Sequence, residues 1–226
     1  MEAKFYEVGG CVRDELLGLK SKDIDFSVEA DSYEAMKAAI TARGIDIKVE
    51  KPEFVTVRGV CPKLGGVDYV LCRKDGTYSD GRRPDKVEAG TLADDLARRD
   101  FTVNAMAKAE DGSIVDLFGG RKDLADMILR CVGDTEKRMR EDSLRMLRAL
   151  RFGIMKGFGL APELQEFILR NADLLENVSI ERIRDEFFRC FEFDSLATLR
   201  VLSLYPGIRD HVFSRNLKLV PTITKK

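Results

Sequence analysis

Asp23 and Asp25, separated by one residue in the run KDIDFSVEA, are the pair in this chain best spaced for chemistry. In a strand, residues i and i+2 face the same way, about 6.5–7 Å apart along the backbone. Two carboxylates so placed can hold Mg²⁺ ions about 3.5–4 Å apart, the spacing of two-metal phosphoryl transfer. Upstream, an apolar run ends in Gly9 and Gly10 and a short amphipathic helix follows. A glycine turn at a helix N-terminus offers bare backbone N–H groups to a phosphate. A metal clamp beside an anion cradle, built from strand, glycine turn, helix, turn and strand, points to nucleotidyl transfer.

Two further clusters carry more hydrogen-bonding groups than a bland helix needs. Arg98, Arg99, Asp100 and Asn104 crowd the segment ARRDFTVNAMA. As surface pairs, Arg99 and Asp100 would be worth little. Asp142, Arg145, Arg148 and Arg151 recur at a spacing of three, beside an inward stripe of Leu144, Leu147 and Leu150. A solvated face with ion pairs of about 0.2–0.5 kcal/mol each is the plain alternative. Three arginines with few acids near them in sequence would repel one another unless something anionic lay across them. Asp68 opens the strand VDYVLC. From local sequence alone, a turn-capping aspartate on an edge strand is favoured there over a third metal carboxylate.

The bulk composition narrows the classes. Lys+Arg (38) and Asp+Glu (39) nearly cancel in 226 residues, so any nucleic-acid surface must come from local segregation of charge. No apolar run approaches membrane-spanning length, and MEAKFYEVGG lacks the pattern of a signal peptide. Five scattered cysteines with no CxxC pair argue for a reduced, cytoplasmic protein without structural zinc or a disulfide framework. His211 is the one histidine, so Ser-His and Cys-His chemistry is disfavoured and carboxylates and arginines must do the work.

The elements that must position these groups follow from periodicity. DSYEAMKAAITARG reads as a helix capped by Asp31 or Ser32, with Glu34 closing a capping box on Asp31 and a stop at Gly44. IDIKVE, FVTVRGV and VDYVLCR alternate as strands. Lys74 to Glu88 reads as a long loop in which Arg82 and Arg83 could meet phosphates, though paired loop arginines are more often solvated. SIVDLFGGRKDLADMILRCVGD closes the α/β part near Asp134, and from Thr135 the chain turns helical. Ile180, Ile183, Phe187, Phe188 and Phe191 form a core stripe, with Glu181, Arg182 and Arg184 on the solvated side. A further helix ends before Pro206, and the tail to Lys226 shows no periodicity.

Four segments in order, VGGCVRDELLG with DID, ARRDFTVNAMA, EDSLRMLRALRF and SIERIRDE, resemble the class II tRNA nucleotidyltransferases (CCA-adding enzymes) and bacterial poly(A) polymerases. The resemblance spans residues 5–190 and implies an α+β fold: a nucleotidyltransferase head with a mixed sheet and flanking helices over residues 1–134, then an all-helical neck and abbreviated body over 135–226. It implies that Asp23 and Asp25 bind catalytic Mg²⁺, with Asp68 as the third carboxylate. Gly9, Gly10 and Arg13 would hold the triphosphate; Arg99, Asp100 and Asn104 would position triphosphate and ribose. Asp142 and Arg145 look like the pair that reads the incoming base, with Arg148 and Arg151 completing the pocket. The implied reaction adds CMP, CMP and AMP from CTP and ATP to the 3′ acceptor end of tRNA; poly(A), A-only or CC-only addition, or a silent RNA-binding relative, are the alternatives. Lys74–Glu88 and SIERIRDE look like the CCA-adding kind, with Asp75 where Glu is more usual. Relatives of cellular origin continue into a longer body and tail, so a homo-oligomer or second chain is one expected source of that surface.

Overall fold

The computed structural model describes residues 2–21, 23–62, 64–76 and 86–215. They form two compact units that divide between Asp126 and Met127. The sequence placed this division at Asp134. The segment between pairs instead with the second unit, through its own short strand.

In the first unit the chain runs β1 (Lys4–Val8), α1 (Gly10–Leu16), β2 (Asp25–Glu29), α2 (Tyr33–Ala42), β3 (Asp46–Lys51), β4 (Thr56–Cys61) and β5 (Gly65–Leu71). It continues through β6 (Arg73–Asp75), β7 (Val87–Ala89), α3 (Leu92–Ala97), β8 (Met106–Ala109), β9 (Ile114–Asp116) and α4 (Gly120–Ala125). Seven strands make one mixed sheet in the order β3-β4-β5-β2-β1-β8-β9, in which β2 and β5 are the parallel pair. The mixed α+β head expected from the sequence is therefore the observed one.

Strand alternation sorts this sheet into two working faces. Phe5, Val28, Val57, Tyr69 and Leu71 point to one face, where Met36 and Ile40 of α2 bury completely against them. Ser32 starts α2 by accepting the Ala35 N–H (3.1 Å), so Ser32 rather than Asp31 is the N-cap. The other face carries Val8, Asp25, Ser27 and Asp68, and Leu92 and Leu96 of α3 pack onto it with Val8 and Ala107. A one-residue slip of β2 would exchange Phe26 and Val28 for Asp25 and Ser27. It would forfeit about 1.5–3 kcal/mol for each large apolar side chain expelled from the core. Hydrophobic burial on one face thus fixes which way Asp25 points on the other.

Two departures from the expected elements concern this unit. Asp23 precedes β2, so strand alternation is not what orients it. The expected loop at Lys74–Glu88 has paired ends, β6 and β7, in an antiparallel ribbon; residues 77–85, with Arg82 and Arg83, lie outside the described residues.

The second unit comprises β10 (Ile128–Leu129), α5 (Thr135–Glu141), α6 (Leu144–Lys156), β11 (Gly159–Leu160), α7 (Pro162–Arg170), α8 (Ile180–Phe193), α9 (Ser195–Leu204) and α10 (Pro206–Ser214). β10 and β11 pair in parallel. The helix expected from Thr135 onward breaks at Asp142, whose backbone is extended (φ −151°). Its Oδ1 accepts the Leu144 N–H at 3.2 Å, a local bond that competes with helix continuation. Leu144, Leu147 and Leu150 are buried as expected, and of the α8 stripe Ile183 and Phe187 are buried outright. The sequence expects no helix after Pro206, yet α10 opens on it: proline is at home at the first helical position, and Ile208 and Val212 bury one turn apart. Among the described residues no helix is long and apolar enough to cross a membrane. The five cysteines are free. The tail from residue 216 lies outside the described residues.

Candidate active site

Asp25 of β2 lies directly opposite Asp68 of β5, and Asp68 lies directly opposite Arg58 of β4. With strands about 4.8 Å apart, the three side chains form a row across one sheet face. Asp23, in the turn before β2, joins Asp25, Asp68, Arg58, Ile24 and Gly66 around a concavity of about 280 Å³. A larger cavity of about 610 Å³ opens among Phe5, Phe26, Tyr69 and Arg43 on the opposite face, where none of the expected site residues lies. Asp68, which local sequence assigned to a turn, thus stands beside Asp25; the partner strand, 43 residues away, was invisible to local reading.

Negative charge is in excess at this concavity. Desolvation by the surrounding protein and the charges of Asp68 and Asp23 push the Asp25 carboxyl above the usual range, against the pull of Arg99 and Arg58. Arg58 Nε stands 3.7 Å from Asp68 Oδ1 and offsets part of that charge. Arg58 is one of the polar positions of the alternating run FVTVRGV, and its partner emerges only from the strand register. Among the described residues no three acidic, Cys or His side chains converge into a ready-made metal cage. Mg²⁺ does not need one, since it binds through one or two carboxylates and completes its shell with water and phosphate oxygens. Crowded carboxylate oxygens on one open face therefore fit such an ion.

Next to the carboxylates lies a guanidinium held on several sides. Gly9 ends β1 at φ +75°, and a Cβ built there would sit 2.9 Å from Arg99 Nη1. The glycine therefore makes room for the arginine as well as for the turn. Arg99 Nη2 donates to Asp95 Oδ2 (3.0 Å) and Ser27 Oγ (3.2 Å), and Nη1 donates to the Asn104 carbonyl (3.3 Å). Its Nε is buried with no acceptor among the described residues. A buried donor left unpaired costs about 1–3 kcal/mol, a cost that an incoming anion would remove.

Arg13, Asn104 and Asp100 form a second connected group. Arg13 is buried; its Nη1 donates to Asn104 Oδ1 (2.5 Å) and its Nε to Asp14 (2.9 Å). Asn104 Nδ2 donates to Asp100 Oδ1 (3.1 Å), which also accepts the Phe101 N–H (2.8 Å). Thr102 Oγ1, donating to the buried Asp123 at 2.7 Å, anchors the 3₁₀ turn that carries Asn104. Gly10 opens α1, where a Cβ would lie 3.5 Å from Arg13 Nη2.

The second unit holds the remaining expected residues. Asp142 accepts from Arg182 through both oxygens (3.3 and 2.8 Å), so Arg182 is paired rather than solvated. Arg145 Nη1 donates to the Arg138 carbonyl (2.7 Å) and to Glu141 (3.1 Å). Arg151 donates to the buried Glu186 at 2.5 Å, and Arg148 is half-buried on α6. The arginine stripe therefore has acids beside it, supplied by the preceding helix and by α8. Sequence distance hid Glu186, 35 residues downstream of Arg151. Asp142 stands at the helix break, outside the α6 stripe.

Known proteins share this sequence pattern and this fold. The family model described as "Poly A polymerase head domain" matches residues 5–130, and that described as "Probable RNA and SrmB- binding site of polymerase A" matches residues 157–203. The chain is 43% identical over 182 residues to a CCA-adding enzyme of Geobacillus stearothermophilus, covering 80% of this chain and 44% of the relative. With a CCA-adding enzyme of Lacticaseibacillus paracasei it shares 42% identity over 193 residues, 84% of this chain and 47% of the relative. A crystal structure of the Bacillus stearothermophilus CCA-adding enzyme in complex with CTP superposes with TM-score 0.80 at 35% identity, covering 93% of this chain and 50% of that one. The Thermotoga maritima CCA-adding enzyme complexed with tRNA superposes with TM-score 0.74 at 27% identity, covering 94% and 49%. The chain spans about half the length of the relatives it matches. With more than half of its residues matched by that head-domain model, the chain belongs to the poly(A) polymerase head-domain family.

Proposed function

We propose that the protein is a cytoplasmic, Mg²⁺-dependent nucleotidyltransferase that adds CMP, CMP and AMP from CTP and ATP to the 3′ acceptor end of tRNA. The observation that carries this reading is the Asp25–Asp68 register pair, joined by Asp23 at one concavity, in a chain 43% identical to a CCA-adding enzyme. Asp23 and Asp25 hold the metal, with Asp68 beside them. When bound, Mg²⁺ supplies Lewis acidity at the attacking 3′-hydroxyl and neutralises charge on the triphosphate. The rest is positioning and electrostatics, which phosphoryl transfer chiefly requires. Arg99 offers its unpaired Nε to the triphosphate beside the Gly9-Gly10 turn, and the Arg13–Asn104–Asp100 group holds that turn and the ribose contact in place. No histidine is needed.

Base choice falls to the second unit. An aspartate that accepts and an arginine that donates satisfy the Watson–Crick edge of cytosine, and after a small shift that of adenine. Uracil or guanine would leave a buried group unpaired at about 1–3 kcal/mol, a discrimination of roughly tenfold or more. Asp142 is held for this by Arg182, with Arg145 beside it and Arg148 and Arg151 following along α6.

Incubation with a tRNA lacking its CCA end, CTP, ATP and Mg²⁺ tests the proposal. The expected product is three nucleotides longer and ends in CCA; no extension with either nucleotide would remove the reading. The match to a poly(A) polymerase head favours one alternative, addition of A alone, and the sequence of the same product distinguishes it.

A further inference from the structure

Asp95 is a charged residue of the first unit that the reading above leaves without a task. It lies on α3 between Leu92 and Leu96, the two residues that pack onto the sheet, and its side chain is fully buried. A carboxylate in that position is expensive unless every lone pair is used. Here they are used. Oδ1 accepts from Arg98 Nε (3.0 Å) and Nη2 (2.5 Å), while Oδ2 accepts from Ser27 Oγ (2.7 Å) and Arg99 Nη2 (3.0 Å). Burial opposes ionisation, but Arg98, Arg99 and the Ser27 hydroxyl outweigh it and hold this carboxyl below the usual range.

The two groups on Oδ2 belong to the two halves of the candidate site. Ser27 lies two residues beyond Asp25 on the same face of β2, and its oxygen also accepts from Arg99 Nη2 (3.2 Å). Arg99 carries the orphaned Nε beside Gly9. Asp95, Ser27 and Arg99 therefore close a three-membered ring of hydrogen bonds that ties the strand bearing Asp25 to the guanidinium. With both Nη2 donors held in this ring and one Nη1 donor held by the Asn104 carbonyl, the Nε–H and the second Nη1–H are the donors left for a ligand.

We propose that Asp95 is a positioning residue, which fixes Arg99 in the orientation that receives the triphosphate and couples it to the metal-bearing strand. This rests on the nucleotidyltransferase reading, within which it assigns a role to a group that touches no substrate. Support-shell groups of this kind commonly change binding about 10- to 100-fold.

A double-mutant cycle on the whole chain tests it, with CTP and ATP affinity measured calorimetrically in the presence of Mg²⁺. Asp95→Asn should weaken both nucleotides by about tenfold and by the same factor, since the contact is to the triphosphate and not the base. In an Arg99→Ala background the same substitution should cost less than about twofold, because its effect travels through Arg99. Additive losses, or wild-type affinity in Asp95→Asn, would overturn the proposal. Should Asp95→Asn not fold, Ser27→Ala opens the same ring while leaving the buried charge paired. It should weaken both nucleotides only when Arg99 is present, and equal losses in both backgrounds would reject the ring. A wild-type chain that binds neither nucleotide would instead refute the nucleotidyltransferase reading itself.

Discussion

At the scale of single residues, the site works by unequal charge compensation. Asp95 is fully compensated by two guanidiniums and a hydroxyl and stays ionised in the core. Asp25 is under-compensated: burial first, then the charges of Asp68 and Asp23, push its carboxyl above the ordinary range. The sign of the linkage follows. A raised carboxyl pKa means the folded apoprotein binds protons better than the unfolded chain, so this group's contribution to stability falls as pH rises from the ordinary carboxylate value through the raised one. Bound Mg²⁺ competes with that proton and should weaken as pH falls through the same interval. Carbon-13 titration of Asp25 in the apoprotein should give a midpoint above the ordinary aspartate range, and Asp68→Asn should lower it. An unchanged midpoint in Asp68→Asn would mean that the register pair does not couple the two charges. Asp23, Asp25, Gly9 and Arg99 were legible in the sequence because their spacing is local. Arg58 and Asp95 were not: one pairs across strands, and the other resembles surface charge until the Leu92–Leu96 stripe shows which way it faces.

Among elements, long-range ion pairs knit the helices of the second unit. α8 presents Arg182 to Asp142 and Glu186 to Arg151, so SIERIRDE serves the EDSLRMLRALRF segment directly. The two kinds of pair on these helices differ in worth. Glu136 and Arg140 are exposed on α5, and such pairs contribute about 0.3–0.5 kcal/mol. Glu186 and Arg151 are largely buried, and removing one partner strands a charge at about 3–5 kcal/mol. Glu186→Ala should therefore lower Tm by on the order of 10 °C, and Glu136→Ala by about 1 °C. Comparable shifts in thermal melts of the two variants would show that the buried pair holds no structure. Helical periodicity made the apolar stripes of α6 and α8 readable, but not the break at Asp142, which depends on a side-chain bond to Leu144. Nor did it reveal α10, whose opening proline looked like an end.

For the whole molecule, the proposed function divides labour between two compact units. The first carries Asp23, Asp25, Asp68 and Arg99 and would make the bond; the second carries Asp142 and Arg145 and would choose the base. The mixed sheet and the helical second half were foreseen from alternation and periodicity. The position of the division was not, because a two-residue strand such as β10 leaves no periodic trace. Single-turnover extension of a truncated tRNA by Asp25→Asn and Arg145→Ala, with CTP and UTP compared, tests the division most directly. Asp25→Asn should slow addition of both nucleotides by the same large factor, on the order of a thousandfold, leaving the preference for CTP intact. Arg145→Ala should bring CTP and UTP to within a few-fold of each other while triphosphate affinity falls less. A changed preference in Asp25→Asn, or an equal loss for both nucleotides in Arg145→Ala, would contradict this division of roles.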